Sequence, residues 1–184
     1  MTMRDSRSLD AGDPASIQAF LRDVADLVAA TSNLRQTLSD IAGQMIDAQL
    51  TTAFERSLPA TAEVDEQGRL LATDPASGIS MYFFSDKPGT ESPPHQHTTW
   101  LVAIGFAGIE INELFVPWDT RPTTWTSAGT QRLARGQSIV LLPSDAHATM
   151  AVGDSDVRHI HIYGRPLTSL SPFASRLIDV ALLP

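Results

Sequence analysis

Two histidines separated by one residue, His95 and His97, and a third farther along, His147, are the side chains of this chain best suited to chemistry. In an extended segment residues i and i+2 point to the same side, so both imidazoles of His95-Gln96-His97 can reach one metal ion. Every histidine of the chain (95, 97, 147, 159 and 161) falls in its second half, which is clustering rather than scatter. Cysteine is absent, so disulfides, thiolate ligands and cysteine nucleophiles are excluded, and any metal must be held by His, Asp or Glu. The bland alternative is that His95 and His97 are two exposed loop imidazoles.

Convergence of the three histidines needs elements that carry them from separate places. Asp13-Pro14 reads as an N-cap followed by proline at the first helical position. Ile17, Phe20, Leu21, Val24, Leu27 and Val28 then recur at helical spacing, which predicts a helix over about residues 14 to 30. Thr31-Ser32-Asn33 breaks it, and Leu34, Leu38, Ile41, Ala42, Met45 and Ile46 mark a second helix with one apolar face. From about residue 69 the texture changes to short apolar or alternating runs punctuated by Gly, Pro, Asp and Ser. The predicted strands are 69–73, 79–85, 100–106, 109–117, 131–134, 138–142, 148–152 and 157–163. Residues 118–129 read as a surface loop, and 167–183 as an irregular return ending in a short helix.

The length suits one domain: a polar tail at 1–13, helices within 14–60 packed on the body, and a β-rich body over 61–184. The formal net charge of −8, without any run of Lys or Arg, argues against nucleic acid and anionic membrane surfaces as partners. The N-terminus has no apolar leader segment, and no stretch of 18 apolar residues occurs, so a cytoplasmic protein is the expectation. A homodimer paired through exposed strands stays open.

Gly89, five residues, His95-x-His97, and then Gly108 eleven positions later resemble the first metal motif of the cupin superfamily. Gly136, Pro143 and His147, with the histidine eleven residues after Gly136, resemble the second. The resemblance implies a cupin double-stranded β-helix, a jelly-roll barrel preceded here by two helices, with His95, His97 and His147 as metal ligands. The usual glutamate ligand after the second histidine is absent, Leu101 and Val102 standing there, and Ala151 replaces the usual asparagine after the third. Three neutral imidazoles leave the charge of a divalent ion uncompensated and half of an octahedral shell open.

Among three-histidine cupins the chain is most similar to the thiol dioxygenases of the cysteine dioxygenase type, over about Arg69 to Gly164. This resemblance implies oxidation of a small, cysteine-like thiol bearing a carboxylate to a sulfinic acid with dioxygen. Fe(II) is the expected ion, with nickel, zinc or manganese compatible with the same donors. It further implies that Arg69 pairs with the substrate carboxylate, and that His161 orients the hydroxyl of Tyr163 toward the metal-bound substrate. An exposed strand-edge arginine is the alternative for Arg69. His159 stands where the family has serine and is a candidate contact to substrate or even a fourth ligand. Gln96 replaces the usual aspartate, and Leu101 adds bulk close to the metal and reshapes the substrate pocket. Two rivals stay open: a three-histidine cupin dioxygenase acting on a diketone or aromatic acid, and a non-catalytic cupin that binds a metal or small molecule.

Overall fold

The computed structural model describes residues 10, 12–47, 54, 56–58, 68–117, 124–169 and 175–180. Most of the polar tail, the end of the helical region, residues 118–123 of the expected loop and much of the expected final helix lie outside them. Helix α1 (Pro14–Ala30) begins as the sequence predicts: the Asp13 carboxylate accepts from the amide of Ala15, and Pro14 occupies the first turn, where no amide hydrogen is needed. Helix α2 (Leu34–Asp47) follows after Thr31-Ser32-Asn33, and the Asn33 side chain accepts from the Gln36 amide.

The rest is mainly β, in two antiparallel five-stranded sheets. The strands are β1 (Arg69–Thr73), β2 (Ser80–Asp86), β3 (Glu91–His97), β4 (Leu101–Ala107), β5 (Ile109–Pro117), β6 (Trp125–Ala134), β7 (Ser138–Leu141), β8 (Ala146–Val152), β9 (Val157–Tyr163) and β10 (Ser175–Leu177). One sheet has the order β1-β2-β9-β4-β7, the other β10-β3-β8-β5-β6. The helices cover the outer face of the first sheet, where Ile17, Leu21, Val24 and Leu38 meet Met81, Phe83, Val102, Ile104, Ile160 and Ile162. Its inner face carries Tyr82, Leu101, Ala103 and Tyr163, which pack with Leu133 of the second sheet. Burial on both faces explains why β4 reads as a continuous apolar run, whereas β9 alternates isoleucine toward the helices with His159, His161 and Tyr163 toward the second sheet.

The structure corrects the expected elements in three places. β6 begins at Trp125, because residues 125–129 of the expected loop pair with the end of β5. Within the expected irregular return over 167–183, the described residues form a 3-10 turn at Leu167–Ser169 and an unexpected strand, β10, which pairs with β3. β3 itself contains Pro93 and Pro94, which ordinarily argue against a strand. They are accommodated because the β3/β8 register shifts between Ser92 and His95.

Helix docking gives a direct stability prediction. Leu21 is fully buried between α1 and the first sheet, whereas Leu70 on β1 is about half exposed. Leu21→Ala is expected to cost about 2–5 kcal/mol in urea denaturation, and Leu70→Ala no more than about 0.5 kcal/mol. Equal effects would mean that α1 does not contribute to the core.

Candidate metal centre

The second sheet brings the three histidines together through pairing rather than sequence proximity. β3 places His95 and His97 on its inner side, and the β3/β8 register sets His95 directly opposite His147. All three are buried, and they offer nitrogen atoms that lie within 4.8 Å of one another. The Nε2 atoms of His97 and His147 are 3.0 Å apart. Two nitrogen ligands bound at about 2.1 Å and at right angles on one ion sit about 3.0 Å apart, so this spacing fits a shared metal.

The hydrogen bonds fix which nitrogens face inward. His95 Nδ1 lies 2.8 Å from the Pro93 carbonyl, which can only accept, so His95 carries its proton there and Nε2 is bare. Asn112 Nδ2 donates to Glu110 Oε1 at 2.7 Å, which turns its Oδ1 toward His147 Nδ1, also at 2.7 Å. His147 therefore donates from Nδ1 and presents Nε2 to the centre. Burial holds the pKa of His147 well below the ordinary imidazole value, with His97 and His95 adding to the effect, and burial lowers His95 too. Neutral imidazoles with inward lone pairs are the ligand form a divalent metal needs, so this donor set fits one. Asn112→Leu removes the acceptor that orients His147 and is expected to weaken metal affinity about 10- to 100-fold, measured by competition with a chromogenic chelator. Unchanged affinity would refute the orienting role.

The first sheet adds a second chain of contacts. His159 Nε2 donates to Asp86 Oδ2 at 2.7 Å, and its Nδ1 lies 2.7 Å from His161 Nε2. His161 Nδ1 is 2.9 Å from the Tyr163 hydroxyl. Burial opposes charging His159, but the hydrogen bond to Asp86 and the nearby Glu110 outweigh it and raise its pKa. Burial and the neighbouring His159 hold His161 well below the ordinary value. Asp86, His159, His161 and the Tyr163 hydroxyl thus form one chain of hydrogen bonds. Burial raises the pKa of Tyr163, so the phenol stays protonated. Its ring packs against His97 at 5.6 Å between centroids.

Both groups line a cavity of about 700 Å³ between the sheets, which His95, His97, His147, His159, His161 and Tyr163 all reach. Two residues expected at the site are not brought to it. Arg69 is exposed and pairs with Phe83, whose side chain faces the helices, so the β1/β2 register puts the guanidinium on the wrong face. Leu101 is buried and pairs with Tyr163, and it packs with Ile139 and Leu141 in the apolar interior rather than lining the cavity. Gln96 points away from His95 and His97 and donates to the Ser144 carbonyl, so it sets no charge beside the centre. His159 is engaged by Asp86 and His161 and is not among the three converging ligands.

Sequence reasoning passed over Asp86, Glu110 and Asn112. The last two carried a signal: in Ile109-Glu110-Ile111-Asn112 they share one side of a strand, and two polar residues on a buried side need partners.

No family model matches the chain, and no curated protein matches it. Among solved structures, a cupin-like protein from Thermotoga maritima is similar at 18% identity and a TM-score of 0.44, over 60% of this chain and 74% of that one. Oxalate oxidase in complex with the substrate analogue glycolate is similar at 18% identity and a TM-score of 0.41, over 48% of this chain and 44% of that one. Oxalate decarboxylase from Bacillus subtilis is similar at 15% identity and a TM-score of 0.43, over 55% and 24%. The chain thus spans less than half the length of these two oxalate enzymes. Likenesses this partial carry no functional argument, and the reading of the site rests on the three imidazoles and what surrounds them.

Proposed function

We propose that this chain is a metal-dependent dioxygenase that oxidises a small thiol to a sulfinic acid, with His95, His97 and His147 holding Fe(II). The fold is read with it as a cupin jelly roll whose two sheets face each other across the site. The observation that carries the proposal is the convergence of three buried imidazoles, with no carboxylate among them, on a cavity that Tyr163 also lines. An ion held by neutral nitrogens alone keeps its full charge and vacant positions, and so supplies an electrophilic place for a thiolate and dioxygen.

The protein's own residues do the positioning. Pro93 and Asn112 fix the tautomers of His95 and His147, so no reorganisation is needed when a ligand arrives. His161 holds the Tyr163 hydroxyl by a hydrogen bond at the cavity, where the hydroxyl can stabilise negative charge on the substrate. Phe84 and Leu167 give the cavity apolar lining. The reaction balances as thiol plus dioxygen: both oxygen atoms end on sulfur, and the thiol hydrogen ends on the acid.

The test is oxygen uptake by iron-loaded protein with 2-aminoethanethiol, cysteine and 3-mercaptopropionate, with the product identified by mass spectrometry. A product heavier by two oxygen atoms is expected. No uptake with any of the three would end the thiol reading.

A further inference from the structure

The cavity carries a charge that the metal centre does not use. Glu110 is nine-tenths buried, and its Oε1 accepts from Asn112. Its Oε2 receives no hydrogen bond from any described residue, and its ion pair with His159 Nε2 is long, at 3.9 Å. That nitrogen already donates to Asp86 Oδ2 at 2.7 Å. Two acidic side chains therefore share the one His159 ring. Glu91 adds a third carboxylate at the cavity wall, and no lysine or arginine lines it among the described residues.

Glu110 lines the cavity, so a ligand there can offer Oε2 a charge-assisted hydrogen bond. Two kinds of ligand could engage that oxygen. A second metal ion would need a bare nitrogen on His159, yet both nitrogens of that ring are engaged, one by Asp86 and one by His161. An ammonium group needs only oxygen acceptors, and it brings both the hydrogen-bond donor and a positive charge. A carboxylate brings neither, and the like charges repel it.

We infer that the cavity selects a small ligand whose end remote from the metal is an ammonium group and which has no carboxylate, with Glu110 Oε2 as its acceptor and Asp86 beside it. This rests on the thiol reading and narrows it: the substrate class is an aminothiol rather than a thiol acid. Phe84 lines the same cavity and offers an apolar surface to the short hydrocarbon link between the two ends. The carboxylate pairing implied by the family resemblance is lost because Arg69 lies on the opposite face of its sheet.

The experiment is calorimetric binding to the iron-loaded full chain under nitrogen, where no turnover occurs, with three thiols of similar size. 2-Aminoethanethiol is expected to bind about 10-fold or more tightly than 2-mercaptoethanol, and 3-mercaptopropionate more weakly than either. In Glu110→Gln the ratio between the first two should fall to within about twofold. Should that variant fail to fold, Asp86→Asn, at a half-exposed position, should narrow the same ratio. Equal affinities, tightest binding of 3-mercaptopropionate, or an undiminished preference in the variant that folds would overturn this inference while leaving the thiol reading intact. Binding of none of the three would overturn both. A second equivalent of bound metal that is lost in Glu110→Gln would assign the cluster to a metal and overturn the ammonium site.

Discussion

His147→Ala is expected to strip the protein of its metal. The three ligands come from two strands, and His147 is the sole contribution of β8. Without it, two imidazoles from one strand remain, and the lost bond is compounded by an unsatisfied Asn112 oxygen. Loss of a ligand should exceed the roughly 10- to 100-fold loss of affinity typical of an outer partner. Metal content after dialysis should fall from about one ion per chain, the stoichiometry of a single three-nitrogen site, to a trace by elemental analysis. His159→Ala, at a position whose hydrogen bonds run to Asp86 and His161, should retain its metal. Full retention by His147→Ala would remove the centre from consideration, and with it the chemistry proposed for the cavity.

Tyr163→Phe should leave metal content in place and lower the rate of thiol oxidation by about 100-fold, in the range seen when a positioned donor to developing charge is removed. The ring is buried against Tyr82 and His97, and phenylalanine keeps that packing, so the denaturation midpoint should move little. His161 would lose its hydrogen bond to the hydroxyl but keep its contact with His159. A rate within about twofold of the parent protein would show that the hydroxyl only fills space.

Much of the scaffold was legible in local patterns. Asp13-Pro14 and the spacing of Ile17, Leu21 and Val24 specify α1 because capping and amphipathic period act within a few residues. The alternation in Val157–Tyr163 reads directly as a strand with two different faces. β3 was harder, since its prolines argue against a strand until the shift in register that accommodates them is seen. β10 pairs for only three residues and has little periodicity to read.

The site divides along the same line. The spacing of His95 and His97 fixes their common side, because the two-residue period of a strand is a local property. That His147 stands opposite His95, and that Arg69 and Leu101 stand away from the cavity, depends on register between strands distant in sequence, where a slip of one residue exchanges the faces. Nor does composition reveal the balance of Asp86, Glu110 and His159, since charges along a chain do not say which of them will share a buried space. The residues alone gave the donor types, the absence of thiolates and, for an extended segment, the common side of two imidazoles. Tertiary structure alone decided which third nitrogen joins them and which charges face the ligand, because both follow from long-range pairing that brings separate strands around one cavity.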